Sequence, residues 1–129
     1  MSGEIIWLAL TVALCLVIWI PYAGLYGGLV GTKSATTDMP PHAKLPDWAQ
    51  RCHRAHVNLL ETLVPFAILI FILQALGKTG GAIATAAAIF FFARLAHAVV
   101  YTAGIPYLRT AAFAVSWLVC LFLLWQVFA

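Results

Sequence analysis

The sequence predicts an all-α fold, a four-transmembrane-helix bundle, and three observations lead there. Of 129 residues, 64% are hydrophobic and 9% are charged, against about 45–50% apolar usage in soluble domains. Mean hydropathy is +1.01. The apolar residues gather into four runs, each near the roughly 20 residues that a helix needs to cross a hydrocarbon core. Positions 1–129 therefore read as one integral membrane domain.

The first run covers about residues 5–30 and holds Pro21, then Gly24, Gly27 and Gly28. Pro21 is expected to kink or end it. Glu4, with no Lys or Arg beside it, has the wrong sign for the start of a secretory signal, so the run is expected to remain as a span. Residues 31–47, GTKSATTDMPPHAKLPD, hold Pro40, Pro41 and Pro46 and form the one long loop. Asp47 is expected to N-cap a second helix over about 48–76, with Trp48 at the membrane interface.

Gly77-Lys78-Thr79-Gly80-Gly81 is a tight turn into a third helix, about 82–103. Ala84, Ala86, Ala87 and Ala88 let backbones approach closely there. Gly104-Ile105-Pro106 breaks the chain before a fourth helix, about 107–128. Trp7 and Trp125 fit the far interface, and Phe90, Phe91 and Phe92 are expected to meet acyl chains.

Lys33, Lys44, Arg51, Arg54 and Arg109 lie on the side of the first and third loops, and Lys78 alone lies on the other. By the positive-inside rule the loops 31–47 and 104–106 face the cytoplasm. A bacterial inner membrane suits the short chain. The net charge of +3 follows from this asymmetry; no basic and aromatic module for nucleic acid is present.

The chemistry is concentrated in RCHRAHVNLLETLVP, residues 51–65. At about 100° per residue, Arg51, Arg54, Asn58, Glu61 and Pro65 fall within an arc of roughly 80°. They make one polar stripe on an apolar helix. On the third helix, Arg94, His97 and Tyr101 share an arc of roughly 60°. Glu61 lies about 15 Å into its helix and Arg94 about 18 Å from the same side. The two charges share a level, and an unpaired charge there is costly, so Glu61 and Arg94 are expected to form an ion pair. That pair accounts for the register of the bundle but not for Arg51, Arg54, Asn58, His97, Tyr101 and Arg109, which call for an anionic ligand.

Arginine forks match carboxylates, Glu61 can receive an ammonium, and Asn58 and Tyr101 add neutral hydrogen bonds. An acidic zwitterionic peptide such as glutathione fits this set. Its thiol becomes a nucleophile when a nearby cation favours the thiolate, and Arg109, just past the Pro106 break, is the residue placed for that task. Cys15, Cys52 and Cys120 show no C-x-x-C pairing and read as small apolar fillers or reduced thiols. His53 and His56 lack a carboxylate or cysteine at ligand spacing, so no metal or haem site is expected. They are expected to be solvated or bonded to a neighbouring subunit. His42 carries no signal.

RCHRAHVNLLETLVPF, RLAHAVVY and PYLR together resemble the MAPEG family, the membrane-associated proteins in eicosanoid and glutathione metabolism. The resemblance covers nearly the whole chain, and its specific part is the Arg-Ala-x-x-Asn-x-x-Glu core followed by proline. It implies a homotrimer with glutathione as co-substrate between subunits near the cytosolic face, and a lipophilic small-molecule substrate drawn from the bilayer. Arg51, Arg54, Asn58, Glu61, His97 and Tyr101 are similar to the family's glutathione-binding residues, Arg94 to a structural partner, and Arg109 to the arginine that stabilises the thiolate. Val57 departs from the family pattern, standing where several members have an arginine. Two other readings stay open: a family member that retains the network as a scaffold without catalysis, and a small proton-coupled transporter built around Glu61.

Overall fold

The structure, a computed structural model, describes residues 1–31 and 45–129. Lys33, Pro40, Pro41, His42 and Lys44 lie outside the described residues. The helices are α1 (Gly3–Ile18), α2 (Ile20–Val30), α3 (Asp47–Ala75), α4 (Gly81–Ala103) and α5 (Pro106–Phe128), and no strand occurs among the described residues. They provide four apolar stretches of 27, 29, 23 and 23 residues, long enough to cross a bilayer.

α1 and α2 are two halves of the first span. The break falls at Trp19, two residues before Pro21, because proline lacks the N–H that would close on the carbonyl of Val17. Ala23 N–H still reaches the Trp19 carbonyl at 3.0 Å, so the chain bends and resumes. α3 runs across Pro65 without interruption. Asp47 is not the N-cap expected from the sequence: Pro46 takes that position and Asp47 is the first helical residue, where its charge complements the helix dipole. Trp48 is exposed, as an interfacial indole should be.

The centre of the bundle is filled by residues that recur on the inner faces of α3, α4 and α5. Leu59, Phe66, Ile70, Leu73, Phe90 and Leu123 are all buried. The Phe66 and Phe90 rings stack with centroids 3.9 Å apart and planes 7° from parallel. Phe90 is thus a core residue rather than a lipid-facing one. Phe91 packs on Trp7 at 5.5 Å, and of the three phenylalanines only Phe92 is exposed.

The end of the bundle at the α3–α4 turn is closed by a carboxylate. Glu4 on α1 is fully buried. It accepts from Gln74 Nε2 at 2.6 Å and from the backbone N–H of Gly80 at 3.2 and 3.3 Å. Gly80 is the N-cap residue of α4, so Glu4 caps that helix from a different one and meets the positive end of its dipole. Lys78, in the same turn, donates to the carbonyls of Gln126 and Val127 at the end of α5, at 2.8 and 3.4 Å.

Replacing Glu4 with alanine leaves the Gly80 N–H without its carboxylate acceptor and the Gln74 amide with Ser2 Oγ alone, at 3.0 Å. We expect Glu4→Ala to lower the stability of the detergent-solubilised protein by about 1–3 kcal/mol, read from the midpoint of SDS-induced unfolding. An unchanged midpoint would show that this contact contributes nothing.

Candidate functional site

The polar residues at the other end of α3 sort into three places. Arg54, Asn58 and Glu61 line one cavity together with Gln50, His53, Val57 and Tyr101 from α4. Its volume is about 560 Å³, within the roughly 300–1,000 Å³ typical of small-molecule sites. A smaller cavity of about 200 Å³ is lined by Asn58, His97, Tyr101, Arg109, Thr110 and Phe113. Asn58 and Tyr101 belong to both, so the two adjoin at that amide and that phenol.

Three helices meet there for local reasons. The 3.6-residue period of α3 brings Arg54, Asn58 and Glu61 to one side over two turns, and the same period carries Gln50 onto the stripe. On α4 it aligns His97 with Tyr101, whose rings lie 5.4 Å apart at 69°. The α4–α5 turn then returns Arg109, whose guanidinium carbon sits 4.6 Å from the centre of the Tyr101 ring. That cation–π contact fixes the arginine beside the smaller cavity.

Arg51 is elsewhere. Its Nε donates to the carbonyl of Thr102 at 3.0 Å, one of the terminal acceptors of α4 that have no helical partner. It lines neither cavity. Its guanidinium also lies against Gly104, where an added Cβ would come within 3.2 Å of the Arg51 Cζ. Gly104 has a φ of +80° and closes α4 in the left-handed conformation. Arg51 is therefore a clamp on the turn that leads to Arg109.

Arg94 does not pair with Glu61. It is 1% exposed, and its hydrogen bonds go to Asn58 Oδ1 at 2.5 Å, Ser116 Oγ at 3.1 Å and His97 Nδ1 at 3.3 Å. Its Nε is buried without a hydrogen-bond partner. Glu61 is exposed on the protomer. Equal depth placed the two charges at one level, but their azimuths differ, and Arg94 turns inward to α5.

His56 is held within the chain instead of being left to solvent or a neighbour. Tyr22 Oη lies 2.6 Å from His56 Nδ1, and Cys15 Sγ lies 3.7 Å from His56 Nε2. His53 meets the Tyr22 ring edge-on at 4.9 Å. Cys52 donates to the Ile18 carbonyl at 3.5 Å. These contacts fasten α3 to the bent first span. Among the described residues no group of three or more His, Cys, Asp and Glu side chains is arranged to hold a metal ion.

Compared with known families, the chain is matched over residues 5–129 by the model of the MAPEG family. The chain belongs to the MAPEG family. This MAPEG protein is thus a multi-pass integral membrane protein of a four-helix family associated with glutathione and eicosanoid metabolism. No curated protein matches the chain.

Reasoning from the sequence overlooked two participants. Gln50 lies one turn before Arg54, and helical arithmetic extended by one step reaches it. Ser116, the acceptor for Arg94, carried only the weak signal of a lone hydroxyl in an apolar span. For the Arg51 clamp, Gly104→Ala forces a side chain into a left-handed position, a cost of about 1–2 kcal/mol, and crowds the guanidinium. In an SDS-unfolding double-mutant cycle, Gly104→Ala combined with Arg51→Met should cost less than the sum of the two singles. Strict additivity would remove the contact between them.

Proposed function

We propose that this MAPEG protein binds glutathione in the two adjoining cavities and directs its thiolate at a lipophilic electrophile, as a glutathione transferase or peroxidase does. The observation that carries the reading is the division of charge between the cavities. The larger has one cation, Arg54, one carboxylate, Glu61, and the amides of Gln50 and Asn58, a set suited to a zwitterion with carboxylates and an ammonium. The smaller has Arg109 and Tyr101 with no carboxylate in its lining.

Glutathione supplies a thiol whose conjugate base is the nucleophile. Arg109 stabilises that negative charge by its own positive one, and the Tyr101 ring holds the guanidinium in place. Tyr101 and Asn58, common to both cavities, bind across the middle of the peptide. Arg51 contributes by tying down the α4–α5 turn rather than by touching the ligand.

The catalytic unit we infer is a homotrimer. Glu61 and Arg54 are exposed on the single protomer, and a carboxylate turned toward acyl chains near the bilayer centre costs about 2.5–3.5 kcal/mol. A neighbouring copy covering that face removes the cost and closes the cleft. The cationic end of the bundle, with Arg51, Arg54 and Arg109, is assigned to the cytoplasmic side of a bacterial inner membrane.

Titrating the detergent-purified protein with glutathione at pH 7–8 should produce thiolate absorbance and conjugation of a generic aromatic electrophile. Arg109→Ala should lower turnover by about 10²-fold, the lower range for removing one preorganised electrostatic contact, and change glutathione binding much less. Arg54→Ala and Glu61→Ala should weaken binding. Equal turnover in Arg109→Ala and wild type would overturn the assignment, and binding without any turnover would identify a scaffold.

A further inference from the structure

We propose that Arg94 is a positioning residue that sets the hydrogen-bond polarity of the cleft, compelling Asn58 and His97 to present N–H donors to the ligand. The inference rests on hydrogen-bond direction. A guanidinium can only donate. Asn58 Oδ1, 2.5 Å from Arg94 Nη2, is therefore an acceptor, and rotating the amide by 180° would bring two donors face to face. The Asn58 oxygen is thus used on Arg94, and the Nδ2 hydrogens remain for the cavities that Asn58 lines.

The same reasoning fixes the imidazole. Arg94 Nη2 lies 3.3 Å from His97 Nδ1, so Nδ1 offers its lone pair and the ring proton resides on Nε2. His97 is 2% exposed and lines the smaller cavity. Among the described residues neither Asn58 Nδ2 nor His97 Nε2 has a hydrogen-bond partner within the protomer, and both side chains border the cleft.

The third bond keeps the arginine itself from turning. Ser116 Oγ donates to the Phe113 carbonyl at 2.8 Å, which leaves its oxygen to accept from Arg94 Nη1 at 3.1 Å. Every bond that Arg94 makes then has one permitted direction, outward from the guanidinium to Asn58 on α3, His97 on α4 and Ser116 on α5. The result is a cleft floor that offers N–H groups from Asn58 and His97 beside the cation of Arg109. Such a floor favours an atom bearing lone pairs or negative charge over a donor, because a donor would meet only donors at Asn58, His97 and Arg109. Under the glutathione reading, on which the choice of ligand rests, that atom is the thiolate sulfur.

The decisive measurement needs no ligand. In ¹⁵N-histidine-labelled protein at pH 7.5, with the His97 signals assigned by their absence from His97→Asn, nitrogen–proton correlations report which ring nitrogen carries the proton. We expect His97 in wild type as the single Nε2–H tautomer, and a mixture of tautomers in Arg94→Gln. With glutathione added, Arg94→Gln should move the pH midpoint of thiolate formation up by about one unit, a tenfold loss of thiolate below it. Its kcat should fall further than its KM rises. Arg94→Lys, also a pure donor but without the planar fork that reaches Asn58, His97 and Ser116 together, should restore these only in part.

An Nδ1–H tautomer in wild type overturns the proposal. So does an Arg94→Gln protein with the wild-type tautomer and thiolate midpoint. If Arg94→Gln does not fold, the wild-type tautomer still decides. An Nε2–H tautomer in a protein that binds no glutathione upholds the polarity assignment and overturns the glutathione reading alone.

Discussion

A guanidinium in the middle of a membrane bundle, with no carboxylate bonded to it, is the constraint around which the rest of this protein is arranged. Arg94 is almost wholly buried, and lipid offers no water to satisfy it. Its neighbours answer with neutral oxygen and nitrogen acceptors from three helices: Asn58 on α3, His97 on α4 and Ser116 on α5. Each of these elements is thereby tied to the same point. A positive charge solvated only by dipoles favours negative charge nearby, and the cleft beside it is where such charge can enter.

The two ends of the bundle are secured by different means. At the α3–α4 turn a buried carboxylate, Glu4, takes the place of a capping side chain for α4, while Lys78 satisfies terminal carbonyls of α5. At the opposite end Arg51 does the same for α4 through Thr102. Helix termini are where backbone groups lack partners. Among the described residues, Glu4, Asp47, Arg51 and Lys78 are spent there, and the other charged side chains, Arg54, Glu61, Arg94 and Arg109, lie in or beside the cleft.

The spans were legible in the sequence because composition alone sets them: apolar runs of membrane length separated by Gly and Pro. The grouping of Arg54, Asn58 and Glu61 was legible because helical period fixes azimuth within one helix. The period says nothing about how two helices are rotated against each other. That is why Arg51 was placed in the binding set when it reaches back to Thr102, and why Glu61 was paired with an Arg94 that turns the other way. The pairing of His56 with Tyr22 was hidden for a related reason, since it depends on the bend at Trp19, and a bend redirects every residue beyond it. The family was legible from short motifs, and Arg54, Asn58, Glu61 and Tyr101 of those motifs line one cavity.

A proline break in a membrane helix sets a sharp kink and leaves a carbonyl of the preceding turn without its helical partner. Here the bend at Trp19 is braced: the Cys52 thiol holds the Ile18 carbonyl before it and the Tyr22 phenol holds His56 after it. The two halves of the first span are thus each tied to α3 on either side of the bend. A change in the elbow's angle therefore has to break one of these two ties to α3.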